Sequence, residues 1–201
     1  MKWVLYLALQ FLFIFNLYSQ NLFTKNTKLL NLGMGMFGYL RYWESGYSAT
    51  PLINLSVDIC VYEFPDVKNL TFGVGPFIGL RSANYTTRVT WKDKNNKFHY
   101  DDLIKTNWLY SVIAFRPTLN YTFEEHEVDA MVYCGIIFGF TWVNSWYSDP
   151  EYGELYGTKF SSYPDYGFFL GGRYFFKKTF AGFIELGYGA SVFNVGLSFK
   201  I

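Results

Sequence analysis

The chain is poor in the side chains that acid–base and nucleophilic catalysis require. It contains two histidines in 201 residues. His99 lies in "KFHYDDL" beside Asp101 and Asp102, and it is the one candidate for an acid–base residue, because hydrolytic sites combine His with Ser, Asp or Glu. His126 lies in "EEHE", a stretch typical of a solvated polar turn. A solvated loop histidine is the simpler interpretation of His99 as well, so we predict that the protein is not an enzyme.

The same stretch does not form a recognisable metal site. His99, Asp101 and Asp102, even together with the nearby Asp93, lack the spacing of known ligand sets. We therefore predict neither a metal nor a cofactor.

Composition separates the chain from ordinary soluble domains and from nucleic-acid-binding proteins. Apolar residues make up 51% of the sequence and aromatic residues 23%, more rings than a soluble core of this size needs. The formal net charge is +1, so nothing indicates a polyanionic partner. We predict no nucleic-acid partner.

The first 19 residues have the pattern of a secretory signal. Lys2 precedes an apolar run from Trp3 to Tyr18, and the small residue Ser19 follows. The run is shorter than the ~20 residues that a membrane-spanning helix needs. We expect a cleaved signal at 1–19 and one domain at 20–201, with an uncleaved membrane anchor as the alternative.

Alternation with a period of two predicts strands in the rest of the chain. Between 51 and 62 one face is apolar and branched and the other is mixed and polar, the two sets being Ile53, Leu55, Val57, Ile59, Val61 and Leu52, Asn54, Ser56, Asp58, Cys60. Similar patterns predict eight strands, at about 29–42, 50–62, 70–82, 106–122, 127–143, 163–176, 179–189 and 191–201. Short and longer connections alternate between them, as in barrels with periplasmic turns and outer loops.

Two stretches resemble a known family. The chain has "KLLNLGMGMFG" at the first strand and "FIELGYGASVFNVGLSFKI" at the end, and it resembles the small eight-stranded outer-membrane β-barrel proteins of Bacteroidota, related in architecture to OmpX and the OmpA membrane domain. The resemblance implies an all-β, antiparallel, up-and-down transmembrane barrel in the outer membrane of a Gram-negative bacterium. It also implies a closing-strand signal for the insertion machinery. Family members usually end on Phe, whereas this chain ends "SFKI", so Phe199 and Ile201 are expected to share that role.

An eight-stranded barrel is filled by its own side chains, so a diffusion pore is not expected. Charged residues on the inward face must then pair with one another. We predict an ion-pair network that plugs the lumen, with Arg173 and Glu185 interacting from adjacent strands, and its members are Asp58, Arg116, Asp129, Arg173 and Glu185. A proton or ion path through the same residues is the alternative.

The longer connections are rich in aromatic residues. Residues 84–102 continue the alternation and are expected to form a hairpin above the bilayer, and 144–157 carry Tyr and Trp with Gly. Trp91, Tyr152 and Tyr156 are candidates for contacts with a ligand or partner, the alternative being interface anchoring and loop packing.

Three functional classes follow from these patterns. We expect a structural or surface-interaction barrel of non-porin type in contact with outer-membrane lipids and, during assembly, with the insertion machinery. An accessory subunit of a larger secretion or assembly complex is the alternative, with a protein partner in the outer membrane. A lipid-modifying enzyme is the least favoured of the three classes, because such enzymes use a histidine in catalysis and the chain contains only two.

Two cysteines in an exported chain raise the question of a disulfide. Cys60 has inward parity on the second strand, and Cys134 has outward parity on the fifth. Side chains on opposite faces of the wall cannot bridge, so both thiols are expected to be free.

Overall fold

A computed structural model describes the backbone of residues 23–36, 38, 47–92, 98–125, 128–148 and 155–201, with side chains outside 89–104, 124–128 and 147–158. The regular elements in these ranges are all strands: β1 (Lys28–Met36), β2 (Tyr47–Ala49), β3 (Leu52–Glu63), β4 (Leu70–Val74), β5 (Pro76–Lys92), β6 (Phe98–Phe115), β7 (Thr118–Glu125), β8 (Val128–Ser148), β9 (Leu155–Lys177), β10 (Phe180–Tyr188) and β11 (Phe193–Lys200). A long apolar helix able to cross a membrane is absent from these ranges.

The eleven strands form the eight strands of the barrel wall, because three of these eight are each divided in two by a short break. β2 and β3 are separated at Pro51 and β6 and β7 at Pro117, where proline removes a ladder donor. β4 and β5 are separated at Gly75, where a Cβ would collide with the carbonyl oxygen of Val57. Pairing continues across this last break, since Arg116 N donates to Gly75 O at 2.8 Å.

The wall closes on itself. Every neighbouring pair is antiparallel, and β1 pairs with β11 from Leu29 opposite Lys200 to Met36 opposite Phe193. This confirms the predicted all-β, eight-stranded, up-and-down barrel. The final segment is therefore the closing strand, and its backbone is hydrogen-bonded to β1 on one side and to β10 on the other.

The predicted alternation of faces is confirmed along the wall. On β3, Asn54, Ser56 and Asp58 are buried inside, whereas Ile53 and Leu55 are 49% and 42% exposed outside. The outer surface of the other strands is likewise covered by large apolar side chains, as at Phe138 and Leu170.

The strands extend further than the sequence predicted. Most of the predicted connections 83–105 and 144–162 belong to two long hairpins, because β5 continues to Lys92, β6 begins at Phe98, β8 continues to Ser148 and β9 begins at Leu155. The expected hairpin at 84–102 is thereby confirmed in its paired parts. Cross-strand pairing such as Thr87 opposite Ile104 stabilises an extended backbone that local composition left open. The expected end of the first strand, after Met36, falls mostly outside the described residues.

The lumen is filled in layers between a short-turn end, which carries the turns 64–69 and 178–179, and a long-hairpin end. An apolar cluster at the short-turn end includes Phe23, Leu29 and Met131. Buried charges occupy the middle. A second apolar cluster, with Leu52, Phe77 and Ile137, separates them from the long-hairpin end.

A filled lumen should not conduct. We expect the refolded protein to show no resolvable channels, or only very small ones, in planar lipid bilayers, because two apolar layers and a charge layer block the axis. Stable, large and weakly selective openings would mean that the barrel is wider than eight strands.

Both thiols should react in the unfolded chain. Cys60 is buried inside, Cys134 is exposed outside, and both are free, as the parity predicted. Maleimide labelling of the denatured, unreduced protein should count two thiols per chain. A count of zero, with a mobility shift on reduction, would contradict this arrangement.

Candidate functional site: a charge network across the lumen

Four charged residues from different parts of the wall meet at mid-lumen. Asp58 lies on β3, Arg116 at the break between β6 and β7, Arg173 on β9 and Glu185 on β10, and each is at most 5% exposed. All four have the inward parity of their strands, which is why the fold brings them together.

Arg116 is the centre of the network. Its Nη1 donates to Glu185 Oε2 at 3.2 Å and its Nη2 donates to Glu185 Oε1, a bidentate pair. Its Nε lies 3.4 Å from Asp58 Oδ1, an electrostatic contact. One guanidinium thus bridges two carboxylates.

Arg173 completes the network on the other side of Asp58. Its Nη2 donates to Asp58 Oδ2 at 3.0 Å and to Asn31 Oδ1 at 2.9 Å. The charges therefore alternate from Arg173 through Asp58 and Arg116 to Glu185. Two cations and two anions cancel, which is the condition for burying them.

Neutral side chains satisfy much of the remaining hydrogen-bonding capacity. Tyr133 donates to Glu185 Oε1 at 2.8 Å, and Asn194 donates to Glu185 Oε2 at 2.9 Å. Asn31 donates to Asp58 Oδ2 at 2.9 Å and accepts from Ser198 at 2.7 Å. The sequence prediction missed these members, although inward parity combined with a polar side chain is the signal that could have found them.

Two aromatic rings lie against the guanidinium groups. The Cζ of Arg116 is 4.0 Å from the ring centroid of Phe169, and the Cζ of Arg173 is 4.8 Å from that of Tyr133. Arg173 Nε and Nη1 have no hydrogen-bond partner among the described residues, so the Tyr133 ring is an important part of their environment.

Two details of the predicted network are wrong. Asp129 has the expected inward parity but lies near the start of β8 at the short-turn end, where its side chain is exposed and outside the network. Arg173 and Glu185 do not pair, because the register places Arg173 opposite Phe183 and Glu185 opposite Gly171. Each reaches across the narrow lumen to a different strand instead.

A smaller polar group lies nearer the long-hairpin end. Arg81 is buried and donates to Gly35 O at 3.2 Å. It lines a cavity of about 30 Å³ together with Asp165, whose Oδ2 accepts a 2.7 Å hydrogen bond from Thr141. The sequence prediction did not select Asp165.

The loop candidates are only partly described. Tyr152, His126 and Asp93 lie outside the described residues. Trp91 pairs with His99 in the β5–β6 hairpin, and Tyr156 pairs with Tyr147 in the β8–β9 hairpin, as backbone positions. Their role in binding stays a prediction.

The closing-strand candidates both lie at the short-turn end. Phe199 faces outward with its ring 5.3 Å from that of Phe180, and Ile201 N donates to Lys28 O at 3.0 Å. Their role as an assembly signal also stays a prediction.

The network can seal and stabilise the barrel, and nothing in its geometry supplies a nucleophile with an adjacent base. Among the described residues, three or more His, Cys, Asp or Glu side chains do not come together in a way that could hold a metal ion.

Comparisons with known proteins give structural likeness alone. No protein-family model and no curated protein matches the chain. The crystal structure of Ail, the attachment invasion locus protein of Yersinia pestis, aligns at 11% identity and a TM-score of 0.40, over 88% of this chain and 96% of Ail. Ail in complex with the heparin analogue sucrose octasulfate aligns at 14% identity and a TM-score of 0.38, over 87% and 93%. At such scores the architecture rests on the strand pairing described above.

Removing one member of the network should be costly. Glu185→Leu leaves Arg116 buried with Asp58 as its one acidic contact, and we expect the free energy of unfolding to fall by about 3 to 5 kcal/mol. Asp129→Leu, at the exposed position, should change it little. Urea titrations of the refolded barrel in detergent, followed by tryptophan fluorescence, measure both.

The double variant Arg116→Met with Glu185→Leu provides the sharper comparison. It removes one cation and one anion and leaves Arg173 with Asp58, so it should recover part of the stability lost in Glu185→Leu. Equal midpoints for wild type and Glu185→Leu would contradict the network as a source of stability.

Proposed function

We propose that the chain is a non-conducting outer-membrane barrel that serves as a surface-interaction protein. An apolar belt supports the membrane location: on β8 and β9 the outward side chains of Ile136, Phe140 and Phe168 are 53%, 54% and 62% exposed. Exposing so large an apolar surface to water is unfavourable. In lipid, a closed barrel satisfies the hydrogen-bonding groups of its backbone by pairing between strands. By analogy with such barrels, the short-turn end would face the periplasm and the hairpins the outside.

The observation that carries the interaction role is an open edge on β9. β10 pairs with β9 from Phe168 to Lys177, whereas β8 pairs with β9 up to Leu155. Among the strands that the structure describes, none pairs with the other side of β9 at residues 155–165. We call residues 159–163 of this strand the open edge.

The open edge lies above the apolar belt. Lys159, Phe160, Ser161 and Ser162 are all exposed, so both faces of the strand are in contact with solvent. Pro164 ends the edge toward the belt, because proline cannot donate to an added strand. The open edge is therefore five residues long.

An open edge binds an extended peptide segment through main-chain hydrogen bonds, with side-chain contacts giving selectivity. Phe160, 67% exposed, supplies an apolar contact within it. We infer a protein partner that adds a strand to the β8–β9 hairpin. Outer-membrane lipids would surround the belt, and the insertion machinery would engage the closing strand.

Site-specific photo-crosslinking tests this role. A photoreactive residue at Phe160 should give a discrete protein adduct in native outer membranes, and the same residue at the belt position Phe168 should not. Ser162→Pro removes an N–H from the open edge and should abolish the adduct, whereas Ser162→Ala should keep it.

The adduct also separates the two candidate roles. A resident outer-membrane protein of the same cell would identify the chain as a subunit of an assembly, and a protein from outside would identify a surface receptor or adhesin. Equal adducts at Phe160 and Phe168, or none at Phe160, would contradict docking at the open edge.

A further inference from the structure

The segment before β1 fills the short-turn mouth of the barrel. Phe23 is 2% exposed and packs in an apolar cluster with Leu29, Cys60 and Phe175. On the neighbouring strand β4, where Gly73 pairs with Cys60, a Cβ at position 73 would lie 3.3 Å from the Phe23 ring, so Gly73 leaves room for it. We call residues 23–27 the N-terminal plug.

A tight turn connects the plug to the wall. Thr27 N donates to Thr24 O at 2.8 Å, and Asn26 has a φ of 72°, a conformation that Asn adopts more readily than most residues. Asn26 N donates to Cys60 O at 3.0 Å, and Cys60 N donates to Thr27 O at 2.9 Å. The plug therefore extends the pairing of the first two wall strands and turns Phe23 into the lumen.

Cys60 lies behind the plug on the way to the charge network. It is 1% exposed, and its side chain is the next inward position on β3 after Asp58. An opening at the mouth would therefore bring water to Cys60 before it reaches Asp58.

A polar cavity lies beside the plug. It has a volume of about 200 Å³ and is lined by Phe23, Lys68, Thr71 and Thr122, among others. Thr122 Oγ1 is buried and has no hydrogen-bond partner among the described residues. A polar cavity of this size holds several water molecules.

We propose that the N-terminal plug is a stopper that separates this hydrated mouth from Cys60 and the dry charge network. Phe23 supplies the apolar barrier, and the Asn26 and Cys60 backbone bonds hold it in place. This inference does not depend on the docking role of the open edge.

The thiol of Cys60 reports directly on the stopper. In a Cys134→Ser background, the folded barrel in detergent is treated with a small, charged maleimide, and heat-dependent gel mobility verifies folding. We expect slow labelling with Phe23 in place. Phe23→Ala should accelerate it roughly tenfold or more, because the packing of a buried Phe no longer opposes opening.

A matched control and a second variant separate the stopper from general loosening. Phe176 is an outward aromatic near the same end, 60% exposed, so Phe176→Ala should leave the labelling rate unchanged. Asn26→Pro keeps the Phe23 side chain but removes the bond to Cys60 O and the φ of the turn, so it should also accelerate labelling. The proposal is overturned if either plug variant, verified as folded, labels at the wild-type rate, or if Phe176→Ala accelerates labelling equally.

Discussion

The pairing of β1 with β11 is the constraint on which the rest of this structure depends. It removes both edges of an eight-stranded sheet, so β1 and β11 each have a paired neighbour on both sides. Closing eight strands also fixes the diameter, and that diameter leaves room for side chains but not for a water channel. Everything placed on the inward parity must therefore be satisfied by other inward side chains.

The charge network follows from that confinement. Asp58, Arg116, Arg173 and Glu185 cannot reach water, so their burial is tolerable only because the charges alternate and cancel. The aromatic rings of Phe169 and Tyr133 take the places that water would occupy around the guanidinium groups. Removing one member of such a network leaves a buried charge without its partner and is strongly destabilising, even where the intact network adds little net stability. The network therefore fixes the relative positions of four wall strands.

The two ends of the barrel differ in how the wall is completed. At the short-turn end the wall is complete, and a segment of the chain itself fills the mouth with Phe23. At the long-hairpin end β8 and β9 continue beyond β10, and among the described strands none pairs with the far side of β9, so a strand edge becomes available. The proposed surface role arises from this difference in strand length, whereas the proposed stopper arises from the segment that precedes β1.

The sequence by itself determined which side chains of each strand face into the barrel and which face outward. Alternation predicted the strands, the inward position of Asp58 and Cys60, and the outward position of Cys134, because a strand has a period of two whatever its neighbours are. The eight-strand count and the mid-lumen position of four of the five network residues followed from the same pattern. Alternation was sufficient for these predictions because it can be read within each strand, without knowing the partners of that strand.

Only the tertiary structure decided which inward residues meet. Register and strand tilt place Arg116 against Glu185 and Arg173 against Asp58, and they leave Asp129 exposed at an end, none of which is visible in spacing along the chain. The extension of β5, β6, β8 and β9 into two long hairpins depends on cross-strand partners. The burial of Phe23 depends on a barrel mouth built by residues distant in sequence. The physical reason is that pairing across a closed lumen is a property of the ring, and no single strand contains it.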